Sequence, residues 1–283
     1  MKVLVNSEIV ERKEVRVDIE DRGYQFGDGV YEVINVYNGV PFTLKEHTTR
    51  LYRSAKEVGI EIKEEPEVLI QKILRVIERN DMVNGGLYLQ VSRGVAPRAH
   101  QYPSDIEPTL IAYPLPYKEM KHTRNDGVSV ITAEDLRWLR CDIKSLNLLY
   151  NIMIKQKANE AGVFEAILIR NGIVTEGTSS NVFIVKRDEI FTHPANNLIL
   201  SGITRSKLLE IFDNNGWKCN EQEFSKQELL AADEVFVTST TSEVVPVISI
   251  DGTQVGDGKA GSMTKQIQQA FSELVKREVT KRG

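Results

Sequence analysis

Apolar residues change their spacing several times along the 283-residue chain, and each change marks an element. Val3 to Val10 carries a polar turn in its middle, which predicts an opening hairpin. A second strand is predicted from Gly29 to Tyr37. Asn38-Gly39 supplies the left-handed residues of a tight turn, and Phe42-Thr43-Leu44 returns along the strand. From Lys45 to Val58 the period becomes helical, with Leu51, Ala55 and Val58 at i, i+4 and i+7. Leu69, Ile73, Val76 and Ile77 mark the buried stripe of a second helix, Glu65 to Asn80. Leu87 to Ser92, Thr109 to Tyr113 and Val128 to Thr132 return to strand character, and a helix follows from Leu148 to Ala161. Glu165 to Ile169 and Ile173 to Thr175 form a hairpin about Arg170-Asn171-Gly172. A strand at Val182 to Val185, a helix from Arg205 to Asn214, a strand at Val235 to Val237 and a helix from Met263 to Val279 complete the pattern.

Strands and helices do not alternate one for one, and hairpins recur, so the pattern predicts an α+β fold and not a doubly wound sheet. Pro114 to Gly127 is rich in polar residues and poor in apolar ones. It predicts a linker at 118–126 between a smaller N-terminal α+β domain, 1–117, and a larger C-terminal one, 127–283. Composition adds limits. At 41% hydrophobic and 27% charged residues the chain can bury a core, which excludes a disordered or fibrous protein. Thirty-six basic against 40 acidic residues give a net charge of −4, and no basic block stands out, so nucleic acid is not expected as a partner. Cys141 and Cys219 make no disulfide framework, and neither a signal peptide nor a membrane span is legible; the expectation is a cytoplasmic protein that meets no membrane.

Some apparent motifs carry no chemistry. The glycine-rich run Gly252 to Lys259 has the wrong spacing for a phosphate-binding loop and is followed by Ala260 instead of a hydroxyl residue. Gly27-Asp28-Gly29 is too short for a dinucleotide fingerprint. His47, His100, His122 and His193 show no metal-ligand spacing, so no metal is expected.

Two segments are polar where folding alone would not ask for it. In Arg137-Trp138-Leu139-Arg140-Cys141-Asp142-Ile143-Lys144-Ser145-Leu146-Asn147, Lys144 comes just before a predicted helix, whose positive end disfavours a second positive charge. A lysine so placed is a candidate Schiff-base amine, although taken alone the signal is weak, because most lysines are solvated surface. The second segment, Val174 to Asn181, gathers small hydroxyl residues around Glu176, and alone it reads as a polar turn. Taken with Asp21 to Glu32 and Ser201-Gly202-Ile203-Thr204-Arg205, in this order through nearly the whole chain, these segments resemble those of the fold-type IV pyridoxal-phosphate enzymes, the class IV aminotransferase family. Ser92 to Gln101 and Arg137 to Asn147 are most similar to the members that transaminate D-amino acids.

The resemblance implies a two-domain fold-type IV architecture, pyridoxal 5'-phosphate as cofactor, and transamination between a D-amino acid (D-alanine, D-glutamate) and a 2-oxo acid (pyruvate, 2-oxoglutarate). It implies that Lys144 holds the cofactor and shuttles a proton, and that Glu176 bonds the pyridine nitrogen. Arg50, the backbone N–H groups of Ile203 and Thr204 at a helix start, and the hydroxyls of Thr240 and Thr241 would take the phosphate. Tyr31, Arg98 and His100 would take the substrate carboxylate, which suits the planar fork of an arginine. In the family the Arg98–His100 loop reaches the neighbouring subunit, which implies a homodimer with shared active sites. A branched-chain L-amino-acid aminotransferase, an aminodeoxychorismate lyase and a non-catalytic cofactor carrier are the alternatives. The first should lack the Arg98/His100 pair, the second needs no amino acceptor, and the third would show no half-reaction.

Overall fold

The alternation of buried and half-buried residues along Gly29–Tyr37 turns Val30, Glu32, Ile34 and Val36 to one buried face. That face is the core of the first of two units into which the chain divides. The computed structural model describes residues 1–282, residues 281 and 282 by their place in the last helix only. The first unit comprises Met1–Lys118, the short segment Ile143–Asn147 and the end of the last helix from Glu278. The second comprises Glu119–Asp142 and Leu148–Arg277.

In the first unit the elements are β1 (Lys2–Val5), β2 (Glu8–Glu11), α1 (Arg22–Phe26), β3 (Gly29–Tyr37), β4 (Val40–Pro41), α2 (Leu44–Glu57), α3 (Pro66–Arg79), β5 (Gly85–Ser92) and β6 (Thr109–Leu115). The six strands form one antiparallel sheet in the order β2-β1-β6-β5-β3-β4. Leu51 and Ala55 of α2 and Leu69, Ile73, Val76 and Ile77 of α3 pack against Val30, Ile34, Leu87 and Leu89 of the sheet. The β3–β4 turn is made by Asn38 and Gly39 at φ 49° and 80°, the left-handed pair that the sequence predicts.

The second unit holds α4 (Lys121–Asp126), β7 (Val128–Glu134), α5 (Leu149–Glu160), β8 (Glu165–Arg170), β9 (Ile173–Gly177), β10 (Asn181–Lys186), β11 (Glu189–Thr192), α6 (Ile203–Asn215), β12 (Cys219–Glu221), α7 (Lys226–Leu230), β13 (Glu234–Ser239), β14 (Glu243–Ile250), β15 (Thr253–Gln254) and α8 (Ser262–Arg282), whose last turn clusters with the first unit. Its strands run β12-β11-β10-β13-β14-β7-β8-β9, with β15 on β14. β7 is parallel to both its neighbours, β14 and β8, while most other pairs are antiparallel. β10 is buried on both faces: Val182 and Ile184 join an aliphatic core, and Phe183 stacks on Phe236 at 4.8 Å. The expected α+β fold is observed.

The structure differs from the sequence reading in several details. The strand that returns along β3 is Val40–Pro41 instead of Phe42–Leu44, because Leu44 already opens α2. The expected linker contains a helix, α4, that ends at Gly127. Lys144 belongs to the first unit, although it was expected in the larger domain. The cause is backbone bonding. The Tyr31 N–H donates to the Lys144 carbonyl at 3.0 Å, the Leu146 N–H donates to the Gly29 carbonyl at 2.9 Å, and Ser145 bridges to Val30. Among the described residues no helix is long and apolar enough to cross a membrane.

Candidate active site

Lys144 lies four residues before Leu148, the N-cap of α5, beyond the first turn in which a helix end acts on charge. What surrounds it is β3 and α2. Its backbone N–H donates to the Ser54 hydroxyl at 3.3 Å, and its ammonium sits 4.2 Å from the centroid of the Tyr31 ring. That ring stacks in turn on Tyr88, with centroids 5.8 Å apart. The Lys144 amine pairs with no carboxylate among the described residues. Two of the expected residues, Tyr31 and Lys144, are therefore brought together by adjacent backbone and by a cation–π contact.

Arg50 is buried on α2 against a residue that sequence reasoning did not assign, Glu32. Nε and Nη2 of Arg50 donate to the two oxygens of Glu32 at 2.7 and 2.9 Å, a fork-to-fork pair. His47 Nδ1 lies 2.7 Å from Glu32 Oε2. Burial would raise the Glu32 carboxyl, but the charge and hydrogen bonds of Arg50, with help from His47, outweigh it and hold the group at about 2. Burial also pushes His47 down, more strongly than Glu32 pulls it up, which favours the neutral ring. His47, Arg50 and Ser54 stand at i, i+3 and i+7, one polar stripe on a buried helix face.

Arg98 and His100 are exposed and converge on one side chain, Phe26. The Arg98 guanidinium is 4.5 Å from the ring centroid, and the His100 ring meets it edge-on at 6.0 Å. Buried Arg22 holds the loop from beneath, donating to the Ala99 and His100 carbonyls at 2.6 and 3.1 Å and to Asp28 at 2.9 Å. Arg93 donates to the same oxygen of Asp28 at 2.8 Å. The loop leaves β5 through Gly94 at φ 114°, where a Cβ would meet the Glu107 carbonyl oxygen at 1.9 Å, so only glycine fits. No hydrogen bond, ion pair or ring contact joins Tyr31 to Arg98 or His100 among the described residues.

The second unit carries the remaining candidates. Glu176, on β9, is buried. One of its oxygens accepts from Nη1 of Arg137; the other accepts from the Asn181 amide at 3.1 Å and the Leu200 N–H at 3.0 Å. Burial raises this carboxyl above its ordinary value, with Arg137 opposing. Ile203 opens α6 behind Gly202, an N-cap without a side-chain bond, and Thr204 is buried beside it. Thr240 and Thr241 form the turn between β13 and β14, half-buried and exposed. The sequence did not single out Thr238, whose buried hydroxyl has no hydrogen-bond partner among the described residues and which stands in register with Asn181. Leu200 is half-buried, and its part is the N–H that it gives to Glu176.

Residues 29–250 match the family described as Amino-transferase class IV. The chain is also 56% identical to a D-alanine aminotransferase of Bacillus licheniformis over 281 residues, 99% of each protein. It belongs to the class IV aminotransferases. Its fold matches that of the Escherichia coli branched-chain amino acid aminotransferase with a TM-score of 0.91 at 28% identity, covering 96% of this chain and 94% of that one. A T.th. branched-chain amino acid aminotransferase, solved with pyridoxamine 5'-phosphate, matches with a TM-score of 0.88 at 28% identity over 96% and 93%. Class IV aminotransferases use pyridoxal phosphate. The donor and acceptor set of this chain suits that group. A carboxylate offers about four lone-pair sites, and Glu176 has three filled, which leaves room for one N–H. Among the described residues the amine of Lys144 pairs with no anion, and α6 starts at the N-cap Gly202, which has no side chain to bond its backbone N–H groups.

Proposed function

We propose that this chain transfers amino groups between D-amino acids, D-alanine and D-glutamate among them, and 2-oxo acids such as pyruvate and 2-oxoglutarate. The observation that carries the reading is the 56% identity to a D-alanine aminotransferase along the full length of both proteins. Bound pyridoxal phosphate supplies an electron sink for the pair left behind when the Cα–H bond breaks. The amine of Lys144 holds the cofactor, takes the Cα proton from the amino acid and gives it back. Glu176 accepts a hydrogen bond from the pyridine nitrogen and keeps it protonated. Arg50, the N–H groups of Ile203 and Thr204, and the hydroxyls of Thr240 and Thr241 hold the phosphate.

Tyr31, Arg98 and His100 receive the substrate carboxylate. The enzyme of this proposal is a cytoplasmic homodimer in which the Arg98–His100 loop serves the neighbouring subunit; the exposure of both side chains and their lack of any bond to Tyr31 support this. Handedness follows from where the carboxylate is held, because only one enantiomer then turns its Cα–H toward Lys144. D-Alanine should therefore have a higher kcat/KM than L-alanine. Arg98→Met should weaken D-alanine use by about 2–4 kcal/mol, the scale of a carboxylate left without its charged partner. Faster turnover of L-alanine, or an Arg98→Met variant with unaltered kcat/KM, would reject the D-specific reading and favour a branched-chain L-aminotransferase.

A further inference from the structure

Glu176 poses an electrostatic problem. An ionised carboxylate cut off from water is unfavourable unless charge or strong hydrogen bonds compensate it. The Asn181 amide and the Leu200 N–H are neutral donors, and both go to one oxygen. Among the described residues only Arg137 brings positive charge to Glu176, through Nη1. The rest of its fork is taken: Nε and Nη2 donate to the two oxygens of Asp135, each at 2.8 Å. The Asp135 side chain is fully buried, accepts a further bond from the Thr175 hydroxyl at 2.8 Å and forms an ion pair with Arg170 at 3.1 Å. Burial would raise Asp135, but these donors hold it well below the ordinary carboxylate range. Thr175 neighbours Glu176 on β9, and Arg170 ends β8, so the network ties two neighbouring strands to the Asp135 carboxylate. The Cys141 thiol, raised to about 11 by burial, also lies within the field of Glu176, Asp135 and Arg137.

We propose that Arg137, oriented by Asp135, is a positioning residue that keeps Glu176 ionised and so keeps the ring nitrogen of the cofactor protonated. Asp135 has a second effect in this arrangement. An uncompensated arginine would hold Glu176 charged but would also repel the pyridinium beside it, and the Asp135 charge offsets that repulsion. The proposal rests on the role given above to Glu176, and its test separates the two.

Pyridoxal phosphate labelled with nitrogen-15 in the ring is bound to the unmodified protein and to the Arg137→Gln, Arg137→Lys and Glu176→Gln variants. The nitrogen chemical shift is then followed with pH. The ring proton should be present at neutral pH in the unmodified protein and lost in Glu176→Gln and Arg137→Gln. Arg137→Lys, which restores charge without the fork, should recover it. A purely structural role would lower the melting temperature of both Arg137 variants without distinguishing them in this signal. If Arg137→Gln does not fold, a folded Arg137→Lys that loses the ring proton overturns the proposal. So does Arg137→Gln with its ring nitrogen still protonated while Glu176→Gln has lost the proton. An unaffected Glu176→Gln overturns the role of Glu176 and the proposal with it.

Discussion

Each unit contains a buried carboxylate–arginine network, and the two are wired in opposite senses. In the first unit both arms of the Arg50 fork go to Glu32, with His47 as a further partner. The carboxylate takes both arms of the fork and is held at about 2, so its charge is fixed and the arginine is the group whose position is being set. In the second unit the fork of Arg137 goes to Asp135, and Glu176 receives one arm. Glu176 lies above its ordinary value through burial. The carboxylate that takes the whole fork is the fixed one, and the carboxylate that receives a single arm is the less compensated one. Under the proposed function, the first network sets the cation for the phosphate and the second the anion for the ring nitrogen.

If this contrast is right, the two carboxylates should respond differently to loss of charge. Glu32→Gln removes the buried anion that accepts two N–H groups of Arg50 and should cost about 3–5 kcal/mol of stability, measured by denaturant unfolding. The same variant should lose a pH dependence. The folded Glu32 carboxyl lies below its unfolded value, so its stabilisation is complete above the ordinary glutamate range and fades as pH falls toward about 2. Glu176→Gln should be milder for the fold, about 1–2 kcal/mol, because Arg137 retains Asp135. Equal destabilisation by the two variants would break the comparison.

A smaller effect should come from Arg22→Lys. It removes the fork that ties the Ala99 and His100 carbonyls to Asp28 while keeping a charge beneath the loop. D-Alanine kcat/KM should fall by about 1 kcal/mol, the scale of a lost hydrogen bond, with kcat nearly unchanged. A fall confined to kcat would mean that the loop positions something other than the substrate carboxylate.

Much of this was legible in the sequence, for different reasons in different places. Long periodic elements such as α2, α3 and β10 declare themselves because burial imposes their spacing. Glu32 left a readable trace: a carboxylate at a position whose neighbours two residues away, Val30 and Ile34, face the core. His47, Arg50 and Ser54 likewise mark a polar stripe where a purely apolar face would be expected. The helix α1 has only five residues, too few for a period, so Phe26 and Arg22 gave no pattern to follow. Arg137 stands in a segment that the sequence marks as unusual, but its bond to Glu176 spans 39 positions and exists only once the sheet has formed. The placement of Lys144 with the first unit depends on hydrogen bonds to β3 that no local pattern encodes.

Lys144 carries the central claim, and reduction tests it most directly. The protein is loaded with pyridoxal phosphate, treated with borohydride and digested, and the modified peptide is sequenced. The account predicts a single stable adduct on Lys144, in the peptide containing Cys141-Asp142-Ile143-Lys144-Ser145. An adduct on any other lysine, or no covalent adduct at all, would contradict it.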